Sequence, residues 1–171
     1  DNDAYIQLAL TSKKVYVMFQ QFNRYERIYE THEQIAIKTI NKECIIKLII
    51  TNESCKANIV SIFPLLRHFE INRCNRKKKI PFFPLLSHLI VKSCMQIHNI
   101  PYFLSLKCLK IHGCSKIKQL PALPLLTHLK IEHCHNIIGF PELPSITHLE
   151  IEYCGRITHL PTFSSLEYLA I

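Results

Sequence analysis

The chain has 171 residues, 48% of them hydrophobic, and is long enough to enclose an apolar core without disulfides or a metal. No run of 18 or more apolar residues occurs, so no membrane span is expected, and three glycines argue against a phosphate-binding loop or many left-handed positions. The net charge of +8 is uneven: residues 1–80 carry fourteen Lys and Arg against eight Asp and Glu, whereas residues 125–171 carry two against five. A uniformly basic nucleic-acid binder would not become acidic at one end, so we expect two electrically different surfaces.

The N-terminal third does not share the pattern of the rest of the chain. Apolar residues from Val15 to Tyr25 recur at steps of three and four, which predicts an amphipathic helix over about 13–30. The runs QIAIKTI and CIIKLII, parted by NKE, then predict two strands joined by a turn.

We expect two segments: an N-terminal cap of helix and strand, residues 1–44, and a repetitive solenoid, residues 45–171. Leu48 and Ile50 fit a first, degenerate repeat strand. Because a solenoid exposes its core at an open end, a capping role is favoured over an independent partner-binding helix. At the other end SLEYLAI stops within a unit, so we expect a C-terminally truncated array.

The repetitive region has a period of twenty residues, which is the main signal of this sequence. A small thiol side chain returns at this interval, and so do the apolar residues on either side of it. The cysteine column is Cys74, Cys94, Cys114, Cys134 and Cys154, and the two apolar columns before it are Phe69, Leu89, Leu109, Leu129, Leu149, Leu169 and Ile71, Val91, Ile111, Ile131, Ile151, Ile171. The proline positions of LPxLP, both of which are filled in three units, argue against a helix in the return segment.

Each unit predicts one short strand. Alternation places Leu129 and Ile131 on one side, and His128, Lys130 and Glu132 on the other. Because one such strand cannot bury its apolar side alone, we expect the copies to stack into a parallel sheet that closes a continuous core.

The unit LxxLxIxxCxxI followed by LPxLP resembles the leucine-rich repeat. The resemblance covers about residues 45–171 and implies an α/β solenoid: an arc with a parallel sheet on its concave face and a mostly irregular convex side. The paired LP…LP and the constant step resemble bacterial effector repeats, although those usually carry Asn where this chain has Cys. The repeat pattern is also similar to that of plant intracellular immune receptors, whose repeats are longer and less regular.

The cysteine column is interpreted as a structural feature of the repeat, with buried thiols rather than disulfides or reactive groups. A small, buried thiol tolerates close packing at the bend after a strand, and parallel side chains in a ladder do not favour disulfide torsions. With no CxxC pair, a zinc finger is not expected, and eight cysteines in a chain of this kind favour a reducing, cytoplasmic compartment.

The candidate binding site is the row of strand positions that face away from the core, since these have a fixed mutual geometry. We predict a partner protein there. The residues are His68, Glu70, His88, Lys92, Lys110, His112, His128, Lys130, Glu132, His148, Glu150, Glu152, Tyr153 and Tyr168. The fourth outward position of each unit is expected at Arg73, Ser93, Gly113, His133 and Tyr153.

The histidine column leaves two further hypotheses open. His88, Cys108 and His128 could hold zinc, but parallel side chains need not converge and no carboxylate column orients them. Stacked imidazoles could instead sense pH near neutrality. The simplest interpretation is a polar position that the repeat retains, and no metal site is predicted.

A basic loop, NRCNRKKKIP, carries the densest charge. Its cations are Arg73, Arg76, Lys77, Lys78 and Lys79. Phosphate contact is conceivable, but no aromatic platform accompanies the run, so a solvated loop that helps to recruit an acidic protein partner is favoured over nucleic-acid binding.

No residue set supports catalysis, and no cofactor is expected. The motifs of serine hydrolases, zinc proteases and nucleotide-binding loops are absent, and Cys108 is the single weak candidate nucleophile. We therefore expect a non-catalytic protein-recognition module, which the effector resemblance would place in a host cytosol. The alternatives are a substrate-targeting arm of a larger enzyme, for example a ubiquitin ligase, and a ligand-sensing region of an immune receptor.

Overall fold

The computed structural model describes residues 15–21, 25–31, 45–51, 63–75 and 78–171. These residues form one sheet of nine strands, in the order β2-β1-β3-β4-β5-β6-β7-β8-β9. The strands are β1 (Val15–Gln21), β2 (Tyr25–Thr31), β3 (Ile45–Thr51), β4 (His68–Asn72), β5 (His88–Lys92), β6 (Cys108–His112), β7 (His128–Glu132), β8 (His148–Glu152) and β9 (Tyr168–Ala170).

Strands β3 to β9 are parallel and each pairs with the next one along the chain, as stacked coils of a solenoid do. From β4 onward partners are twenty residues apart, for example His88 with Cys108 and Cys108 with His128. The predicted period is thus the length of one coil. The step from β3 to β4 is one residue longer, because Lys47 pairs with His68. Leu48 is 2% exposed, which confirms β3 as the degenerate first repeat strand.

The predicted N-terminal helix is wrong where the structure describes it. Residues 15–21 and 25–31 form antiparallel strands, and β1 also pairs antiparallel with β3. The three- and four-residue spacing coincided with a run of β-branched and aromatic residues, VYVMF and YERIY, whose strand preference prevails once β3 offers an edge. The described part of the chain contains no helix, so the α/β class and the helical cap are not observed. The predicted strand QIAIKTI and its turn lie outside the described residues.

One continuous core runs through the parallel coils. It contains the inward strand residues, the cysteine column and a row of phenylalanines and leucines from the return segments, Phe63, Phe83, Phe103, Leu123 and Leu143. The five cysteines of the column are 0–8% exposed, as the architectural interpretation requires. Towards the last coil Phe163 and Leu166 are only partly buried.

Two β-turns per coil reverse the chain outside the strands. After β5, β6, β7 and β8 a turn spans Cys94 to Ile97 and its equivalents, and before β4, β5, β7 and β8 a second spans Phe83 to Leu86 and its equivalents. The second proline of LPxLP occupies the second position of that turn, where its fixed φ is favourable. We call the residues after each strand the bend edge (73–81, 93–101, 113–121, 133–141 and 153–161) and the residues that lead to the next strand the return segment.

No helix that could cross a bilayer is found in the described ranges.

Candidate functional site

The strand side chains that point away from the core form one surface, which we call the sheet face. Burial alternates along β4, β5 and β8 between intermediate and buried residues, so positions one, three and five of each strand reach solvent. Most of the predicted partner-binding residues lie on this face in exact register. By strand, the residues of the sheet face are His68, Glu70 and Asn72; His88, Ile90 and Lys92; Cys108, Lys110 and His112; His128, Lys130 and Glu132; His148, Glu150 and Glu152; and Tyr168 and Ala170.

The imidazoles at the first strand position form two stacked pairs. The rings of His68 and His88 are 4.2 Å apart and 16° from parallel, and those of His128 and His148 are 4.4 Å apart and 8° from parallel. Cys108 lies between the two pairs. Stacking fixes the ring planes across the sheet, so the face presents preset rather than freely rotating imidazoles.

A hydroxyl residue before the histidine orients the ring in three coils. Nδ1 of His88 lies 2.9 Å from the Ser87 hydroxyl, and the same distance separates His128 from Thr127 and His148 from Thr147. Each of these hydroxyls also lies within hydrogen-bonding distance of a carbonyl of the preceding coil. The sequence interpretation missed this anchoring role. Its signal was the recurrence of Ser or Thr immediately before His.

Burial and positive neighbours lower the pKa of His88. Burial contributes most, followed by His128, Lys107, Lys47 and Lys110. This end of the sheet face therefore holds His88 neutral at pH values where an ordinary imidazole would begin to protonate.

The C-terminal part of the sheet face is acidic and ordered around one lysine. Lys130 Nζ lies 2.6 Å from Glu150, 3.0 Å from Glu132 and 3.2 Å from Glu152. The hydrogen bond to Glu150, followed by those to Glu132 and Glu152, raises the pKa of Lys130 well above its usual range. Three carboxylates around one ammonium leave this cluster net negative.

Lysine dominates the middle of the same face. Lys92 is paired with Glu70 at 2.9 Å. Lys110 is exposed and forms no ion pair with another described residue. The sheet face is thus positive at β6 and negative at β7 and β8.

The fourth outward position does not belong to the strands, which corrects the predicted placement of Tyr153. Each strand ends one residue earlier, and the next residue has a left-handed backbone at the start of the bend edge. These residues are Arg73 (φ 54°), Ser93 (50°), Gly113 (62°), His133 (52°) and Tyr153 (53°). Four of the five are not glycine, so the expectation of few left-handed positions is wrong.

The basic loop lies on the bend edge, apart from the sheet face. Arg73, Lys78 and Lys79 are exposed. Arg76 and Lys77 lie outside the described residues. Further cations of the same edge, Lys116, Lys118 and Arg156, were not singled out in the sequence because they are divided between two coils far from the basic loop.

The proposed zinc ligands do not form a metal site. Among the residues described, no group of three His, Cys, Asp or Glu side chains is arranged to hold a metal ion. Burial raises the pKa of the Cys108 thiol, against a smaller opposing effect of Lys110. A protonated thiol is the opposite of what nucleophilic catalysis requires.

Comparison of the chain with protein-family profiles, with curated proteins and with solved structures found no match.

Proposed function

We propose that this chain is a non-catalytic recognition module that binds a partner protein through the sheet face. The observation that carries the proposal is the preset order of that face. Stacked imidazoles, hydroxyl-anchored ring nitrogens and the Lys130 cluster hold polar groups in fixed positions on parallel strands. Polar groups that are already ordered lose little entropy when a partner binds, so they favour affinity and specificity.

The charge of the face defines the partner. Its surface should carry a carboxylate opposite Lys110 and cations opposite Glu150 and Glu152, because complementary charges steer encounter and fix orientation. The exposed Tyr168, 48% accessible, supplies an aromatic anchor beside the acidic cluster.

At the level of family, we propose a leucine-rich repeat of the bacterial effector type, with a host protein as partner. The support is the short and constant coil together with the paired LP…LP of the return segment. A substrate-targeting arm of a larger enzyme uses the same face and differs only in what the bound protein undergoes. A ligand-sensing region of a plant immune receptor is the other alternative, and longer, less regular coils would have favoured it.

The test is affinity capture from a eukaryotic lysate with two matched triple variants. The face variant is Lys110→Ala, His128→Ala and Tyr168→Ala, and the control is Tyr102→Ala, Glu142→Ala and Thr162→Ala on the return segment. All six side chains are exposed, so each variant should unfold within about 1 kcal/mol of the native chain. We expect the face variant to lose a protein that the native chain and the control both retain.

Lys130 is left in place in both variants for a structural reason. Its removal would leave Glu132, Glu150 and Glu152 close together without a cation. A lost partner could then reflect a disturbed sheet. Retention of the same partner by the face variant would disprove the proposal.

A further inference from the structure

The bend edge is a basic surface without a single acidic residue. The described residues of its five segments include six Lys and Arg and no Asp or Glu, although the chain has thirteen acidic residues. The coils are in register here, because His98 N–H donates to the Lys78 carbonyl and Ile138 N–H to the Lys118 carbonyl. The five segments therefore form one continuous edge along the stack.

The uneven distribution of charge along the sequence corresponds to a difference between surfaces of the molecule, with the acidic residues of the C-terminal half away from the bend edge. The five acidic residues of positions 125–171 lie on the sheet face or on return segments, namely Glu132, Glu150 and Glu152, and Glu142 and Glu167. None lies on the bend edge. An acidic C-terminal half is therefore compatible with a basic edge whose Lys and Arg lie in three of its five segments.

Two cations of this edge are held in place by hydrogen bonds that do not neutralise them. Lys116 Nζ donates to the Gln96 amide oxygen at 2.7 Å, and an Arg156 nitrogen donates to the Asn136 amide oxygen at 3.1 Å. None of the described cations of the edge is in an ion pair within the described ranges. Several uncompensated positive charges along one edge attract an extended polyanion.

The same edge carries exposed flat rings. His133 and Tyr153 are stacked with centroids 4.5 Å apart and planes within 4°, and Tyr153 is 69% exposed. His112 meets His133 edge-on at 5.3 Å. The sequence interpretation, which considered the basic loop alone, found no aromatic platform. The platform lies three coils further along the same edge.

A recess with both polar and apolar walls opens between two neighbouring segments of the edge. Its volume is about 400 Å³, and Gln119, Leu120, Ile138, Gly139, Phe140 and Pro141 line it. A wall that is partly apolar and partly polar suits a flat ring with polar edges.

We propose that the bend edge binds single-stranded nucleic acid, with phosphates on the cations and bases on the His133–Tyr153 stack and in the recess. Cations alone would serve an acidic protein equally well. The exposed ring stack and the recess favour nucleic acid, because bases stack on aromatic rings irrespective of sequence. A single strand is favoured over a duplex, since only unpaired bases offer their faces to a side chain. This site does not depend on the sheet face.

The charge arm of the test uses a fluorescein-labelled 20-nucleotide oligouridylate, with anisotropy measured over a series of salt concentrations. The edge variant is Lys116→Ala with Lys118→Ala, and its control, Arg67→Ala with Lys107→Ala, removes the same charge from exposed return-segment positions. The edge variant should weaken binding at least about tenfold and reduce the slope of log K against log salt by about 1.4, which corresponds to two phosphates on a single strand. The control should stay within about twofold of the native chain.

The base arm uses substitutions that leave the charge unchanged. Tyr153→Ala should weaken binding at least about fivefold with the salt slope unchanged, whereas Tyr153→Phe should retain affinity because the ring remains. Gly139→Leu should also weaken binding by narrowing the recess. A Cβ at Gly139 meets no atom within 4 Å, so a side chain at this position begins in open space.

Four outcomes overturn the proposal. They are no salt-dependent binding of the oligouridylate, equal effects of the edge and control pairs, tighter binding of a duplex of the same length, and indifference to Tyr153→Ala. Binding of a polyglutamate peptide without binding of the oligonucleotide would assign the edge to an acidic protein instead. Capture of a protein through the sheet face is measured separately, so failure of either proposal leaves the other standing.

Discussion

The residue that follows each strand shows how tertiary structure overrides local preference. Its backbone is left-handed in five coils, and only Gly113 among the five is the residue type that such a conformation favours. The N–H groups at Arg73, Ser93, Gly113 and His133 bond to the next coil at 2.8–3.0 Å. The hydrogen bonds between coils therefore compensate the unfavourable φ, and no glycine signal marks the bend.

This strain can be measured at Ser93, whose φ is 50°. Ser93→Gly should raise the free energy of unfolding by about 0.5–1 kcal/mol, because the relief of left-handed strain exceeds the added entropy of an unfolded glycine. Urea denaturation provides the measurement. Ser93→Ala keeps the Cβ and should be neutral, so equal gains in both variants would contradict the explanation.

At the scale of strands and bends, the cysteine column fastens each bend to its own strand and to the preceding coil. Cys134 Sγ–H donates to the Glu132 carbonyl at 3.2 Å and lies 3.9 Å from the Ile111 carbonyl. Cys94, Cys114 and Cys154 make equivalent contacts. Their thiols are free in this structure.

Burial of the thiols in the middle of this column makes the free energy of unfolding depend on pH in the alkaline range. It raises the pKa of Cys114 and of Cys134 to about 11, from an ordinary value of 9.0. Cys94 differs, because a hydrogen bond with Cys74 lowers its pKa. Between pH 9 and 11 the unfolded chain releases protons from Cys114 and Cys134 that the folded chain retains, so stability falls as pH rises.

We therefore expect the free energy of unfolding to fall across that pH range in the native chain and to fall less steeply in Cys114→Ala/Cys134→Ala. The double variant should be less stable at neutral pH, since two buried side chains are truncated. Chemical denaturation at a series of pH values measures the slope. An unchanged slope in the double variant would show that these two thiols do not cause the alkaline loss.

At the scale of the whole molecule, the parallel strands pair only with their neighbours, so the fold is a sum of equivalent interfaces. Deletion of residues 105–124 removes one complete coil and joins Leu104 to Leu125 in the same register. The shortened chain should keep its strand content and lose stability in proportion to the buried area removed.

Circular dichroism and urea unfolding test this expectation, with a smaller m-value as the sign of a smaller but intact core. Deletion of residues 105–114 is the matched control. It removes half a coil, would place polar residues at core positions, and should abolish cooperative unfolding. Similar behaviour of the two deletions would contradict a stack of equivalent coils.

The sequence by itself determined the coil length, the strand positions, the buried cysteine column and the alternation that produces the sheet face. It could do so because a repeated pattern signals the same burial many times over. The N-terminal segment lacks this redundancy, and its apolar spacing from Val15 to Tyr25 was compatible with a helix until the edge of β3 selected a strand.

Only the tertiary structure decided which distant groups act together. Residues twenty apart become neighbours, so the stacked imidazoles, the carboxylates around Lys130 and the acid-free bend edge exist only once coils are in register. The sequence contained their charges and rings. Position along the chain, however, placed Tyr153 on a strand and gave no reason to include Lys118 in any site. The physical reason is that electrostatic and stacking interactions depend on distance through space, which parallel stacking sets coil by coil.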